Sequence, residues 1–338
     1  MQAVRFHQHG GPEVLMFEDA PDPVPGPGEA LVRVRACALN HLDLWQRRGM
    51  AKVRLPFPHI SGADVAGEVV SGAPAGTRVM LQPGVSCGAC ASCLSGRDNL
   101  CASYDLLGYM RDGGYAEYVK APLANLIPIP DHVGFVEAAA FPLTFLTAWH
   151  MLVGRAALRA GETTLVLAAG SGVGQAAIQI AKLLGARVIA TAGGAEKRER
   201  ARALGADEVI DHYDQDLTAE VRRLTGGRGV EVVVEHVGEA TWERSVRSLA
   251  RGGRLVTCGA TTGPAGPIDL RVLFARQISL LGSYMGGKAE LLEVSRFFFE
   301  GRLRPAVDLT FPLRDAAAAH ARLERKEQFG KIVLVPDP

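Results

Sequence analysis

The chain has almost no net charge and no long apolar run. Its 338 residues carry 37 lysines and arginines against 36 aspartates and glutamates, a formal charge of +1. Without a basic excess there is no electrostatic argument for binding nucleic acid or an anionic membrane. The N-terminal stretch lacks the apolar core of a signal peptide, and no later run could span a bilayer. We therefore expect a cytoplasmic protein that acts on small molecules.

The length suggests two domains, and the hydrophobic content of 48% is ordinary for a soluble enzyme. Residues 1–126 contain short strand patterns separated by Gly and Pro turns, as at 31–35, where apolar and charged residues alternate. Many short strands of this kind are typical of a partly open barrel.

One strand–turn–helix pattern organises the second half of the chain. The apolar run 163–167 leads into a turn of small residues and then into a helical pattern without proline. In a Rossmann domain such a turn lets the backbone approach a pyrophosphate at the helix N-terminus. The G-x-G-x-x-G motif is incomplete, and a bland strand–helix junction is the alternative. The residues predicted to contact the cofactor here are Ala169, which stands at the first glycine position, Ser171, which stands at the second, Gly172, Val173 and Gly174.

Five more short apolar runs follow, separated mostly by helical patterns. They lie at 187–191, 209–210, 230–235, 254–258 and 278–281. Apolar strands alternating with helices at this spacing predict a parallel, doubly wound sheet. Six strands make a complete dinucleotide-binding domain.

The end of the second of these strands bears on the choice of cofactor. NAD-preferring Rossmann units place Asp or Glu there to bind the ribose hydroxyls, but residues 190–194 hold no carboxylate. Ala192 and Gly193 are predicted cofactor contacts, and Lys197 and Arg198 are candidates to pair with a 2′-phosphate. The alternative for both cations is a solvated first helical turn. We predict a preference for NADPH, with NADH as the open alternative.

Four of the six cysteines fall close together. Cys87, Cys90, Cys93 and Cys101 have a C-x2-C-x2-C-x7-C spacing. Four thiolates in a cytosolic chain suit a tetrahedral zinc whose positions are all filled, and such a site is structural. Two disulfides or unliganded thiols are the alternatives. We predict one structural zinc in a lobe at about residues 84–102.

The cysteine loop, the turn at 169–174 and the order of a β-rich part, a Rossmann part and a C-terminal return resemble the medium-chain dehydrogenase/reductase superfamily. The resemblance implies an α/β chain with a GroES-like, β-rich catalytic domain (1–130 and 285–338) and a Rossmann domain with a doubly wound parallel sheet (131–284). It also implies a homodimer or homotetramer, often paired through the strand at 278–281. Further cofactor contacts are expected at His41, Val237, Gly238 and Lys331.

The positions where zinc alcohol dehydrogenases of this superfamily hold a catalytic zinc carry no zinc ligands here. Asn40 stands at the first ligand, Leu42 at the proton-relay hydroxyl and Ala63 at the histidine, and residues 141–147 contain no cysteine. A catalytic zinc needs about three protein ligands. The alternative is a relocated metal site, whose candidate ligands are Cys37, His41, His59, Asp64 and His150.

Without those ligands the chain most resembles the quinone oxidoreductase and enoyl reductase branch, although it keeps the four-cysteine lobe that common members of the branch lack. This implies an NAD(P)H-dependent oxidoreductase that reduces activated C=C bonds or quinones without a catalytic metal. The alternatives are an alcohol dehydrogenase, zinc-dependent or metal-free, and a non-enzymatic nucleotide-binding protein. Asn40, Thr144 and Thr147 are the candidate catalytic residues, and Asp43 is predicted to cap the helix at 42–48. The sequence leaves the physiological substrate open.

Overall fold

A computed structural model describes residues 1–50 and 53–337, and the chain divides into two compact units. The first unit combines Met1–Leu143 with the chain from Gly287 onward, and the second is Thr144–Gly286. From sequence we place the boundary at residue 130. The first unit continues past it, because the helix at Phe135–Ala140 packs on five strands of that unit. No helix in the described part of the chain combines the length and apolar character that a membrane span requires.

The N-terminal segment is built of short strands, as its alternating pattern predicts. In the longest strand Ala30, Val32 and Val34 are buried while Arg33 is exposed, which is the two-residue period of a half-buried strand. The elements in chain order are β1 (Gln2–Arg5), β2 (Met16–Asp19), β3 (Glu29–Ala38), α1 (His41–Arg48), β4 (Asp64–Ser71), β5 (Arg78–Leu81), β6 (Gly84–Val85), α2 (Ala91–Leu94), β7 (Asp105–Leu106), β8 (Tyr118–Pro122), β9 (Leu126–Pro128) and α3 (Phe135–Ala140).

The second unit alternates strands and helices. A π-helical stretch at His150–Arg155 follows the helix that crosses the unit boundary. The elements are α4 (Pro142–Trp149), β10 (Thr163–Val166), α5 (Gly172–Leu183), β11 (Arg187–Ala192), α6 (Ala195–Ala203), β12 (Glu208–Asp211), α7 (Leu217–Leu224), β13 (Val230–Glu235), α8 (Glu239–Ser248), β14 (Leu249–Thr257), α9 (Leu270–Ala275) and β15 (Ser279–Gly282).

These six strands form one parallel sheet in the order β12-β11-β10-β13-β14-β15. Numbered along the chain this is 3-2-1-4-5-6, the order of a dinucleotide-binding Rossmann sheet. Every residue of the central strand β10 is buried, as expected where helices cover both faces of a sheet. The predicted doubly wound parallel sheet is confirmed.

The C-terminal segment returns to the first unit as α10 (Lys288–Phe299), β16 (Val307–Pro312), α11 (Ala316–Glu324) and β17 (Lys331–Val335). The sheet of this unit has the order β16-β17-β3-β4-β5-β9, with β8 also paired to β3. Strand β17 runs antiparallel to β3, with Val333 opposite Ala38. Extending that register places Lys331 beside Asn40, just past the end of β3.

Candidate active site and metal site

Three buried polar side chains meet at one end of the sheet in the first unit. The Lys331 ammonium donates to Asn40 Oδ1 at 2.6 Å and to Asp64 Oδ2 at 2.9 Å. Asn40 Nδ2 donates to the same carboxylate oxygen at 3.0 Å. The other oxygen of Asp64 accepts from the Leu143 N–H at 2.8 Å. All three side chains are buried, so Asn40, Asp64 and Lys331 form a fixed cluster, called here the buried triad.

The donor set of the buried triad is that of a hydrogen-bonding site. A protonated ammonium cannot ligate a metal, and Asp64 already accepts from an amide, an ammonium and a backbone N–H. Within the described residues, the four lobe cysteines are the one group of three or more His, Cys, Asp or Glu ligand atoms close enough to share an ion. The candidate ligands of a relocated metal site therefore do not assemble as a set.

Behind the buried triad lies a second buried network. Helix α1 begins at His41 with Asn40 as its N-cap, and the Asp43 carboxylate accepts from the Asn40 N–H at 2.7 Å. The predicted capping role of Asp43 is therefore confirmed. Asp43 also accepts from Tyr115 Oη at 3.0 Å, and that hydroxyl lies 3.1 Å from His320 Nε2. The ring of His41, a predicted cofactor contact, packs edge-on against Trp45.

Burial shifts the acid–base properties of this network. It raises the pKa of the Asp43 carboxyl from its ordinary 3.8 to about 6, although hydrogen bonds from Asn40 and Tyr115 act in the opposite direction. It lowers the pKa of His320 to about 3, and it raises the pKa of Tyr115 well above its usual range. His320 and Tyr115 are therefore neutral at pH 7.

In the second unit, the predicted cofactor segment forms the tight turn between β10 and α5. Ser171 is the N-cap of α5, and its hydroxyl accepts from the Gly174 N–H at 2.8 Å. A Cβ at Gly174 would lie 2.3 Å from the Ala168 carbonyl oxygen. The third glycine of the motif is thus needed for helix–strand packing, while Ala169 and Ser171 are accommodated at the first two. The first N–H groups of α5, including those of Gly172 and Val173, point out of the helix as they do at any helix start.

Two more predicted cofactor segments lie at the ends of β11 and β13, the two strands that flank β10. At the end of β13, the buried Glu235 carboxylate accepts from the N–H groups of Val237 and Gly238 at 2.7 and 3.1 Å. It also accepts from the hydroxyls of Thr241 and Ser245. Glu235 thus fixes the backbone of the segment at 237–238, a role that the sequence analysis missed.

At the end of β11 lie Ala192 and Gly193, followed by Lys197 and Arg198 on α6. The sequence contains no carboxylate at this strand end, but the fold brings one there. Asp211, the last residue of β12, pairs in register with Ala192, and its Oδ2 lies 3.4 Å from Arg198 Nε. The sequence analysis missed this carboxylate, although an Asp at the end of the third strand of the sheet could have indicated it.

Thr144 and Thr147, the weaker catalytic candidates, are both buried on α4. The Thr147 hydroxyl lies 3.9 Å from Met285 Sδ, a contact within the second unit. Both belong to the second unit, whereas Asn40 belongs to the first. Their catalytic role stays a prediction.

The four lobe cysteines come together as their spacing predicts. Their Sγ atoms all lie within 4.8 Å of one another, with Cys87 and Cys93 at 3.8 Å and Cys90 and Cys93 at 3.5 Å. Zinc–sulfur bonds of about 2.3 Å in a tetrahedron place sulfurs about 3.8 Å apart. All four are free thiols rather than disulfides, so Cys87, Cys90, Cys93 and Cys101 fit a structural zinc.

A unit with the Rossmann sheet order and a tight turn after its first strand, in one chain with a β-rich unit that holds a buried polar cluster, indicates a dinucleotide-dependent oxidoreductase. Two family models match the chain: the alcohol dehydrogenase GroES-like domain at residues 26–131 and zinc-binding dehydrogenase at residues 172–300. The chain therefore belongs to the medium-chain superfamily of zinc-type alcohol dehydrogenases and quinone oxidoreductases, and it is an NAD(P)-dependent enzyme. The expected family resemblance and GroES-like fold are confirmed, and the non-enzymatic alternative is not supported.

Its relatives fall on both sides of the functional choice. A quinone oxidoreductase of Pseudomonas aeruginosa is 34% identical over 98% of this chain and 99% of its own. A 2-haloacrylate reductase of a Burkholderia species is 32% identical over 99% of both chains. The crystal structure of an NAD-dependent alcohol dehydrogenase is 51% identical, with a TM-score of 0.95 over 99% of both chains.

The purified chain should contain about one zinc, because one closed four-thiolate site holds one ion. The Cys93→Ser variant should lose that zinc and unfold at lower temperature, while activity per folded molecule falls less, since structural zinc contributes folding energy. Elemental analysis and thermal unfolding measure the two effects. Cys258→Ser, a cysteine outside the lobe, is the control and should keep the metal. Two tightly held zincs per chain would contradict a metal-free active site.

The raised pKa of Asp43 predicts a specific pH dependence of stability. The folded state binds the Asp43 proton more tightly than the unfolded state does. The stability that this proton contributes is therefore fully present below about pH 4 and is lost as the pH rises through about 6. Asp43→Asn keeps an acceptor for Tyr115 and removes the charge. The free energy of unfolding of this variant, relative to that of wild type, should rise by up to about 3 kcal/mol between pH 4 and pH 8.

Thermal unfolding midpoints across that pH range measure the difference between variant and wild type. A difference between Asp43→Asn and wild type that does not change with pH would show that burial of this carboxyl does not control the effect.

Proposed function

We propose that the chain reduces the electron-poor C=C bond of an α,β-unsaturated carbonyl compound, or a quinone, with NAD(P)H and without a catalytic metal. The observation that carries the proposal is the buried triad. At the position where the family's zinc alcohol dehydrogenases keep their first zinc ligand, Asn40 instead bonds to an ammonium and a carboxylate.

The chain's own groups fit a dinucleotide. The start of α5 offers N–H groups for a pyrophosphate, and the segments at 192–193 and 237–238 lie at the ends of strands β11 and β13, beside the turn after β10. When bound, the nicotinamide supplies the hydride. We also propose Lys197 and Arg198 as the cations that favour NADPH over NADH. We propose Lys331 as a cofactor contact that Asn40 and Asp64 hold in position.

The amide of Asn40 is suited to orient a substrate oxygen or the nicotinamide. Its Oδ1 accepts from an ammonium, which polarises the amide and strengthens its N–H groups as donors. One N–H of Nδ2 donates to Asp64, and the amide carries a second one. In conjugate reduction the negative charge spreads onto an enolate or quinol oxygen, which such donors stabilise. Water supplies the final proton.

Alcohol oxidation is the second candidate, because the 51% identical structure is named an alcohol dehydrogenase. That reaction produces an alkoxide before hydride leaves, and zinc ordinarily stabilises it. Asn40 and Lys331 cannot ligate a zinc ion while they are hydrogen-bonded to each other as observed.

We also propose a cytoplasmic homodimer or homotetramer. Strand β15 is an edge strand of the six-stranded sheet, and nearby on α9 the side chains of Leu270 and Phe274 are exposed. An apolar edge of this kind is commonly covered by a second copy.

Substrate panels distinguish the candidates. The purified enzyme should oxidise NADPH in the presence of enones or quinones, and pretreatment with a chelator should not abolish the rate beyond its effect on folding. Primary and secondary alcohols with NAD⁺ or NADP⁺ form the other arm. Chelator-sensitive alcohol oxidation, with enones and quinones left untouched, would contradict the proposal.

The Asn40→Ala variant should lower kcat/KM by roughly tenfold or more, the scale of one lost transition-state donor. Circular dichroism should stay close to wild type, and the loss in kcat/KM should exceed any change in the cofactor Kd, because Asn40 also positions Lys331, a proposed cofactor contact. Asn125→Ala is the matched control, because it deletes another buried amide of the first unit that bonds only to backbone carbonyls. That control should reduce stability but leave kcat/KM unchanged per folded molecule, and equal losses in both variants would remove Asn40 from the mechanism.

A further inference from the structure

A buried carboxylate from a neighbouring strand stands beside the end of β11. Asp211 is only 4% exposed, and it lies opposite Ala192 in the parallel pairing of β11 with β12. In a Rossmann unit the end of the second strand is where the adenosine ribose is recognised. The carboxylate that β11 lacks is thus supplied by β12.

The Asp211 side chain is fixed from two directions. Its Oδ1 accepts from the Tyr213 N–H at 3.0 Å, and its Oδ2 lies 3.4 Å from Arg198 Nε. The same Nε donates to the Gly194 carbonyl at 3.3 Å. The Asp211 backbone N–H donates to Gln215 Oε1 at 2.8 Å, which holds the strand end in place. The guanidinium of Arg198 therefore lies within ion-pair distance of a buried carboxylate.

The two charges act in opposite directions on the cofactor. A carboxylate at this point favours a 2′-hydroxyl and repels a 2′-phosphate, whereas an arginine accommodates the phosphate. A guanidinium already paired with a carboxylate has less net positive charge to offer an incoming dianion.

We propose that Asp211 is a specificity-determining residue that weakens the binding of a 2′-phosphate by Arg198. It thereby keeps the affinity for NADPH close to the affinity for NADH. The inference rests on the proposed cofactor site, in which Arg198 faces the 2′-phosphate. It adds to that site the residue that limits the preference.

The test uses adenosine fragments, so that it does not depend on catalysis. Calorimetry on the full chain measures the Kd of 2′,5′-ADP and of 5′-AMP for wild type and Asp211→Asn, which keeps an acceptor for the Tyr213 N–H. We expect 2′,5′-ADP to bind about tenfold more tightly to the variant, the scale of one charged contact. The Kd of 5′-AMP should not fall, because the variant loses a carboxylate that favours the 2′-hydroxyl. Asp211→Ser removes the same charge and serves if the Asn variant does not fold.

Two comparisons isolate the mechanism. Asp214→Asn removes an exposed charge three residues away and should leave the ratio of the two Kd values unchanged. In an Arg198→Ala background, Asp211→Asn should tighten 2′,5′-ADP binding much less than it does in wild type, because most of the gain acts through the released guanidinium and only the direct repulsion of the phosphate is left to remove.

Several outcomes would overturn the inference. An unchanged or lower affinity of Asp211→Asn for 2′,5′-ADP would show that the carboxylate does not oppose the phosphate. A full gain retained in the Arg198→Ala background would show that it does not act through Arg198. Binding of neither fragment to wild type would overturn the cofactor site itself, whereas good fragment binding with no enone or quinone reduction would fail only the proposed reaction.

Discussion

The ammonium of Lys331 lies inside the first unit, and a buried charge is tolerated only when it is paired and hydrogen-bonded. That requirement links parts of the chain that lie far apart in sequence. It joins the first residue of β17 to the segment after β3 and to the start of β4. Through Asp64 it also fixes the backbone at Leu143, where α4 begins. Removing any one partner would leave another buried polar group unsatisfied.

The second unit solves a related problem with a buried anion. Glu235 is fully buried, and its neutralising partners are backbone N–H groups and hydroxyls rather than a cation. Hydrogen bonds of this kind to a carboxylate are strong, because one partner is charged. They hold the loop after β13 in place beside the turn that follows β10. Both units thus use a buried acidic side chain to hold backbone, Asp64 at Leu143 in the first and Glu235 at residues 237–238 in the second.

Local patterns were enough to predict the strands of the parallel sheet, the strand–turn–helix after β10 and the cysteine cluster, because each depends on residues close together in sequence. The polar contacts were not predictable in this way. Asn40 and Lys331 are 291 positions apart, and only the antiparallel register of β17 with β3 brings them together. The partnership of Asp211 with Arg198 similarly depends on which strand lies next to β11. Such contacts follow from sheet order and register, which sequence periodicity leaves open.

The buried triad also bears on why the chain keeps a cysteine lobe while lacking zinc ligands at the catalytic position. The lobe cysteines come together within a short loop, so their site does not depend on the side chains of the buried triad. The buried triad pairs one positive with one negative charge, and its net charge is therefore close to zero. What it offers is a fixed and polarised set of hydrogen-bond donors, not a strong Lewis acid. In the proposed conjugate reduction, such a set stabilises a negative charge that is delocalised over a conjugated system.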